Sequence, residues 1–205
     1  FNAIASGGAV GGRPLVVQTR DFLRTPLVGK FDTILANPPF GDKAKRDALL
    51  AEAKLGGGAK RDTAAAEYPL PSSATGLFLQ KIVHCCAVGG RVCVVMPLGK
   101  ELTSRTAREV QIRHAHLKAV NLLEVVVIPA GAFVGTAIRT VGLVFDKVRE
   151  LGDCAAAKGK SFVARADVPL ATQVVAFCNL NGSLIYEVPS ERLAACAWSL
   201  SPDDY

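Results

Sequence analysis

The segment from Phe31 to Gly41 reads Phe-Asp-Thr-Ile-Leu-Ala-Asn-Pro-Pro-Phe-Gly, and it constrains the fold more than any other part of the chain. The apolar run over residues 33–36 predicts a short strand. Pro38 and Pro39 have no N–H groups and cannot continue a sheet ladder, so the strand ends at this point. Open α/β sheets bind their ligands just beyond the C-terminal ends of strands. The sequence therefore predicts a binding site immediately after this strand.

The residues after the strand suit a flat ligand that carries an amino group. The Asn37 side chain offers an acceptor and a donor, and the Pro38 carbonyl offers a second acceptor. An exocyclic amino group has two N–H bonds, which match two fixed acceptors. Phe40 provides a flat face on which a planar base can stack. A plain Asn-Pro turn, which is common after strands, is the alternative interpretation.

The rest of the chain alternates between predicted strands and helices. Strands are predicted over residues 14–18, 31–36, 91–96, 119–128 and 138–146. Helices are predicted over residues 42–55, 75–88, 102–116 and 191–198. Such alternation indicates an α/β fold with a parallel sheet and helices on both faces. From Val148 onward the pattern loosens into short strand-like pieces.

Composition restricts the class of protein. The chain has 205 residues, of which 50% are hydrophobic, so it can bury a sizeable core. No apolar run reaches the roughly 18 residues that span a bilayer, and no membrane partner is expected. The six cysteines lack zinc-site spacing and are expected to be reduced thiols in an intracellular, reducing compartment such as cytoplasm, nucleus or organelle. The net charge of +6 suits a nucleic-acid partner, although many cytosolic proteins share it.

Asn37-Pro38-Pro39-Phe40 resembles the motif of amino-methyltransferases that use S-adenosylmethionine and act on adenine N6, cytosine N4, guanine N2 or glutamine N5. Other segments narrow the resemblance to the modification subunit of type I restriction systems, which makes N6-methyladenine in DNA. These segments are residues 19–23, 76–80, 89–97, 128–133 and 140–147. The resemblance extends over residues 1–147 and, more weakly, to Tyr205.

The resemblance implies a class I S-adenosylmethionine-dependent methyltransferase fold, which is Rossmann-like and has the strand order 3-2-1-4-5-7-6. The five predicted strands correspond to strands 3 to 7, so the sheet is expected to lack its first two strands in this chain. Strand 3 should then have no neighbour in the chain, and strand 4 should have one open edge. Residues 1–147 would be the C-terminal part of the catalytic domain, and residues 148–205 a family-specific extension.

The resemblance also implies roles for individual residues. Asn37, Pro38, Pro39 and Phe40 would form the catalytic motif, in which Asn37 and the Pro38 carbonyl hold the adenine amino group. Phe133 would form the second wall of the base pocket opposite Phe40, unless it is a core residue.

The cofactor S-adenosyl-L-methionine would be bound by two further residues. Asp21 would contact its adenine amino group and Phe22 would pack on the ring, whereas the alternative for Asp21 is a turn or helix cap. No metal is expected. His84, His114 and His116 are expected on helices, at the surface or partly buried.

The Gly-x-Gly cofactor loop of the family is not found at the expected distance before Asp21. The Gly-rich residues 7–12 lie too close to Asp21 to serve as that loop. A partner chain that supplies the N-terminal half is therefore expected. The function implied is methylation of adenine N6 in DNA. The alternatives are a structural or nucleic-acid-binding subunit without activity, or a methyltransferase acting on RNA guanine N2 or protein glutamine N5.

Overall fold

In the computed structural model, the residues described are 2–6, 16–25, 30–40, 45–55, 64–133, 137–158 and 161–205. The α-helices are α1 (Arg46–Leu55), α2 (Ala74–Cys85), α3 (Lys100–Thr103), α4 (Ala107–Ala119) and α5 (Ser190–Ala195). The strands are β1 (Asn2–Ser6), β2 (Val16–Arg20), β3 (Phe31–Ala36), β4 (Cys86–Pro97), β5 (Val120–Ile128), β6 (Thr140–Lys147), β7 (Ala155–Lys158), β8 (Ser161–Ala164), β9 (Val174–Asn179) and β10 (Leu184–Pro189).

Six strands form the main sheet in the order β10-β9-β5-β6-β4-β3. Strand β3 pairs with β4, and β5 with β9, in parallel, whereas β6 is antiparallel to both of its neighbours β4 and β5. The order of β3, β4, β6 and β5 confirms the expected 4-5-7-6 arrangement. The sheet is mixed rather than parallel, because β6 and β10 run against the other strands.

The strand expected to have no neighbour in the chain does have one. Strand β2 pairs with β1 in a separate two-stranded antiparallel sheet, with Ser6 opposite Val16. That part of the prediction is wrong. The backbone N–H and C=O groups of β2 need hydrogen-bond partners, and β1 supplies them. Residues 7–15, which include the Gly-rich run and the first two residues of the predicted strand 14–18, lie outside the described residues.

Two predicted helices end differently in the structure, and local geometry gives the reason. Helix α2 ends at Cys85, because the backbone becomes extended at Cys86, where β4 begins. Gly89, inside the predicted helix, has a positive φ of +84°, which an α-helix does not accommodate. The predicted helix 102–116 is divided between α3 and α4. At the break, Ser104 Oγ accepts from the Thr106 amide at 3.2 Å, which is a local bond that competes with continuation of the helix.

The two faces of the main sheet differ in burial. In β4, Val92, Val94 and Met96 are fully buried, and they belong to one core cluster with residues of α2, α3 and α4. The alternate residues Arg91, Cys93 and Val95 are exposed or half-buried. On the edge strand β3, Leu35 is 80% exposed and lies on this second face, opposite Cys93 in the ladder. Helical cover on both faces was expected, but the described helices bury one face only.

Residues after Val148 complete the sheet and its core. Strands β9 and β10 add to the edge beyond β5, and Phe177 is fully buried. The Tyr205 ring packs against Phe177 with ring centres 5.5 Å apart. The 148–205 extension therefore shares a core with the strands before it. None of the helices described is both long enough and apolar enough to cross a membrane.

Candidate functional site

The Asn-Pro-Pro-Phe segment lies at the C-terminal edge of the main sheet. Strand β3 ends at Ala36 and runs parallel to β4. Strand β6 is antiparallel to both β4 and β5, so β5 runs in the same direction as β3 and β4. The ends of β3 and β5 therefore lie at the same edge. The Asn37 side chain is exposed, and it makes no hydrogen bond with another described residue. Within the described residues, its amide group is therefore exposed and unbonded.

The structure brings Phe40 and Phe133 together at this edge. Their ring centres are 6.1 Å apart, and the rings are nearly perpendicular, at 86°. Both side chains are half-buried. Strands β3 and β5 are separated by β4 and β6, a span of about 14 Å at ~4.8 Å per strand spacing, and the loops after β3 and β5 bridge it. The contact joins the two residues that were expected to face one base.

A tight turn leads the chain from β5 into Phe133. The Ala132 amide donates to the Pro129 carbonyl at 3.2 Å, and Gly131 has φ of +83°. Glycine adopts this conformation at little cost, whereas a side chain there would strain the backbone. The Pro-Ala-Gly-Ala sequence is thus explained by the turn that precedes the aromatic residue.

Asp21 occupies a turn directly after β2. Its Oδ1 accepts from the Leu23 and Arg24 amides at 3.1 and 3.2 Å, and its Oδ2 accepts from Arg24 Nη1 at 2.8 Å. Partial burial alone would raise the pKa of Asp21, but the side-chain and backbone hydrogen bonds from Arg24 outweigh it and the pKa is lowered. Asp21 therefore has the turn role that the sequence left open. Its half-exposed carboxylate still has lone pairs for a ligand donor.

Phe22 is a packing residue. Its ring stacks on Phe78 with centres 5.9 Å apart and planes 6° from parallel. Phe78 belongs to a small core cluster with Leu23, Leu49, Tyr68 and Leu77, and Phe22 packs against that cluster. Phe22 thus packs against a core cluster, whereas Phe40 and Phe133 belong to neither cluster.

Sequence reasoning missed a buried charge pair under this turn. Lys81 and Glu67 form an ion pair with Nζ and Oε2 3.1 Å apart, and their side chains are 0% and 4% exposed. Tyr68 is also buried, and its hydroxyl donates to the Leu23 carbonyl at 2.6 Å. A signal was present, because Lys81 lies four residues after Leu77 and therefore shares the apolar face of helix α2.

The three histidines lie on helices, as expected. His84 and His114 are half-buried as expected, but His116 is buried, so the prediction of a surface or partly buried residue is wrong for it. Burial lowers the pKa of His116 to about 4, and its Nδ1 donates to the Ile112 carbonyl at 2.9 Å. Within the described ranges, no group of three His, Cys, Asp or Glu side chains could hold a metal ion.

The sequence also contains a basic cluster, with a solvated surface as the default interpretation and a phosphate-contacting loop as the alternative: Lys43, Lys45, Arg46, Lys54, Lys60 and Arg61. Of these, Lys43, Lys60 and Arg61 lie outside the described residues, and Lys45 is exposed. The Arg46 guanidinium donates through Nε to the Tyr68 carbonyl at 2.7 Å, and burial lowers its pKa. Arg46 therefore has a structural partner.

A cavity of about 40 Å³ lies between α2, α4 and the buried face of the sheet, lined mainly by aliphatic residues such as Leu79, Ile112 and Leu143. It is too small for a nucleoside and does not coincide with the Asn37 edge.

The strand order β5-β6-β4-β3 and the Asn-Pro-Pro-Phe segment at the end of β3 define a protein with the fold of class I methyltransferases. The model of the family N-6 DNA methylase matches residues 14–169. This match spans most of the chain, and the chain belongs to the N-6 DNA methylase family. No curated protein sequence matches the chain.

Several solved structures share the fold. A type I restriction-modification methyltransferase subunit from Streptococcus thermophilus aligns with a TM-score of 0.56 and 16% identity over 90% of this chain and 41% of its own. A modification subunit of a type I restriction enzyme from Vibrio vulnificus aligns with a TM-score of 0.52 and 24% identity over 78% and 28%. The M protein of the type I restriction enzyme EcoKI aligns with a TM-score of 0.50 and 22% identity over 75% and 26%. The chain thus spans between about a quarter and two fifths of these proteins.

Proposed function

We propose that the chain is the base-binding part of a methyltransferase that transfers a methyl group from S-adenosyl-L-methionine to adenine N6 in DNA. The contact between Phe40 and Phe133 carries this proposal, because it joins aromatic side chains from two separate loops, one of which also carries the exposed Asn37. Family membership agrees with the same reaction.

Asn37 and Pro38 would hold the amino group that receives the methyl group. The Asn37 side-chain carbonyl would accept one N–H of the adenine amino group, and the Pro38 carbonyl would accept the other. Two acceptors fix the plane of the amino group and direct its lone pair toward the methyl donor. Such positioning is a large part of the rate enhancement available to a transfer that needs no metal ion.

Phe40 and Phe133 would form the two walls of the pocket. A base reaches such a pocket only when it leaves the duplex stack. In the structure the two rings touch edge to face, so they must separate before a base can lie between them. Stacking on an aromatic ring then repays part of the unstacking cost, at roughly 1–3 kcal/mol per base.

The described residues fit the adenosine end of the cofactor in part. Asp21 keeps acceptor lone pairs at its half-exposed carboxylate, which suits an adenine amino group. One face of the Phe22 ring is stacked on Phe78, which leaves the rest of the ring for the cofactor adenine. When bound, S-adenosylmethionine supplies an activated methyl group on a sulfonium centre.

We further propose that more polypeptide covers the open side of the sheet. Among the described strands, β3 has a ladder partner on one edge only, and Leu35 on that strand is 80% exposed. An apolar edge strand of this kind needs a partner or cover to avoid aggregation. The cover would come from a further part of a longer chain or from a partner chain that supplies the strands and the glycine loop of the cofactor site.

A second candidate is a nucleic-acid-binding subunit without transferase activity. The specific observation in its favour is that Arg24 and the turn amides already bind the Asp21 carboxylate. RNA guanine N2 and protein glutamine N5 are other acceptors used by enzymes with Asn-Pro-Pro-aromatic motifs. Membership in the N-6 DNA methylase family favours adenine in DNA over both.

A base-flipping assay tests the proposal without requiring turnover. A duplex with 2-aminopurine at the target position should fluoresce more strongly when the protein extrudes the base. The variant Phe40→Leu keeps an apolar side chain but removes the flat face, and it should lose most of this signal. Phe31→Leu, at the opposite end of β3, is the matched control and should retain it.

Labelled S-adenosylmethionine then separates the two candidates. The assay contains the chain together with the polypeptide that covers the open side of its sheet. Incorporation of label into DNA adenine then supports the transferase. Base extrusion without incorporation supports the binding subunit. Neither extrusion nor incorporation would refute both.

A further inference from the structure

The turn formed by residues 21–25 is not held in place by the main sheet. Strand β2, which precedes it, pairs with β1 in a separate sheet. The hydrogen bonds of Asp21 with Leu23 and Arg24 shape the turn internally but do not attach it to the body of the protein. Something other than a sheet ladder must therefore fix its position relative to the edge that carries Asn37.

Arg24 binds Glu52 of α1 at 3.0 Å, and the Tyr68 hydroxyl binds the Leu23 carbonyl at 2.6 Å. The buried ammonium group of Lys81 adds the contact with helix α2. Its Nζ donates to the Thr25 carbonyl at 2.9 Å and to the Leu23 carbonyl at 3.4 Å. It also lies 5.4 Å from the centre of the Phe22 ring and 5.7 Å from that of Tyr68. One side chain of helix α2 thus contacts three residues of the turn.

Glu67 makes a buried lysine at this position tolerable. A buried charge is costly unless it is paired and hydrogen-bonded, and a pair of apolar residues of similar volume is often as stable. The pair with Glu67 therefore does not explain by stability alone why a charge lies here. The two backbone carbonyls that Lys81 binds are the distinctive feature, since an apolar replacement could not bind them.

We infer that the Lys81–Glu67 pair is a positioning device that fixes the Asp21–Phe22 turn on helix α2 at the place where it can receive an adenosine moiety. This inference rests on the proposed function, in which Asp21 contacts the cofactor adenine. Lys81 is a positioning residue, because it acts through the turn and reaches no reacting atom.

A double variant separates this role from general stability. Lys81→Met with Glu67→Leu removes both buried charges together, so neither is left unpaired, and the protein should stay folded. The turn, however, loses both bonds from Lys81, and among the described residues only the Leu23 carbonyl keeps another donor, the Tyr68 hydroxyl at 2.6 Å. Lys147→Met with Glu150→Gln is the matched control, because Lys147 is also fully buried and binds the Cys86 carbonyl at 3.0 Å and Glu150 at 2.7 Å, away from the turn.

Amide hydrogen exchange on the full chain gives the first measurement. The Leu23, Arg24 and Thr25 amides are hydrogen-bonded within the turn and should be protected. In the Lys81/Glu67 double variant we expect roughly tenfold or greater loss of their protection, with strands β4 to β6 unchanged. The control variant should leave the turn protected. Equal protection of the turn in the wild type and the Lys81/Glu67 variant would overturn the inference.

Calorimetric titration with S-adenosylhomocysteine gives the second measurement. If the wild type binds, the Lys81/Glu67 variant should bind roughly tenfold more weakly, because the Asp21–Phe22 turn is no longer held in the position that suits the adenosine moiety. Equal affinity would overturn the inference even if exchange changed. If the wild type does not bind, the adenosine role in the proposed function fails, and the exchange result alone decides whether Lys81 positions the turn.

Discussion

Two aromatic pairs in this molecule contain residues that the sequence assigned to ligands, and they have different surroundings. Phe22 and Phe78 are stacked nearly parallel within a small core cluster above a buried ion pair. Phe40 and Phe133 meet edge to face between two loops and belong to neither core cluster. The first pair is packed against a core, so we expect its separation to cost more free energy than separation of the second pair. Phe22 can therefore receive a ligand only on the part of its ring that Phe78 leaves uncovered.

Removing Phe78 should produce the largest effect on stability. Phe78 is 3% exposed, and Phe→Ala in a core costs about 3–5 kcal/mol of unfolding free energy. Phe133→Ala should cost about 1 kcal/mol or less, the value of one aromatic pair contact. Denaturant unfolding of both variants makes the comparison. Similar losses for the two would show that the second pair is also a core element.

Removing the Asn37 side chain should affect chemistry and not stability. We expect Asn37→Ala to raise the barrier for methyl transfer by about 2–4 kcal/mol, as when a preorganised hydrogen-bond partner is lost. Its unfolding free energy should stay near that of the wild type, because the side chain is exposed and has no described hydrogen bond. Asn121→Ala, on the half-buried face of β5, is the control. Near wild-type transfer by Asn37→Ala would contradict the assignment.

The difference between the two pairs also explains which parts of the site could be predicted from sequence. The strands themselves could be predicted from apolar runs, because core burial determines these runs, whereas the order of β3, β4, β6 and β5 came from the family resemblance alone. Asp21 and Phe22 were selected by the family resemblance and by the spacing of Asp21 to Asn37. Their actual partners, Arg24 and Phe78, depend on how β2 and α2 meet in space. No local pattern contains that information, apart from the unexpected charge of Lys81 on an apolar helix face.

Each wall of the proposed base pocket should contribute to DNA binding. Phe40→Ala and Phe133→Ala should each weaken binding of DNA with an extrahelical adenine by roughly 1–3 kcal/mol. Fluorescence anisotropy with this DNA and with fully paired DNA measures the effect, and paired DNA should show little change. If Phe133→Ala binds both DNAs like the wild type while Phe40→Ala does not, Phe133 only packs against Phe40.

The smallest effect concerns the pH dependence of the turn beneath the first pair. Hydrogen bonds from Arg24 lower the pKa of Asp21 in the folded protein, against the raising effect of partial burial. A lowered pKa means that the carboxylate stabilises the fold above its unfolded pKa of about 3.9, and that this stabilisation is lost as the pH falls through the lower folded value. Because the pair is half-exposed, the contribution should stay below about 1 kcal/mol. Asp21→Asn should therefore be less stable than the wild type at pH 7, with the gap closing below about pH 4. A gap in urea unfolding that is constant from pH 7 to pH 3 would show that the Asp21 charge does not stabilise the turn.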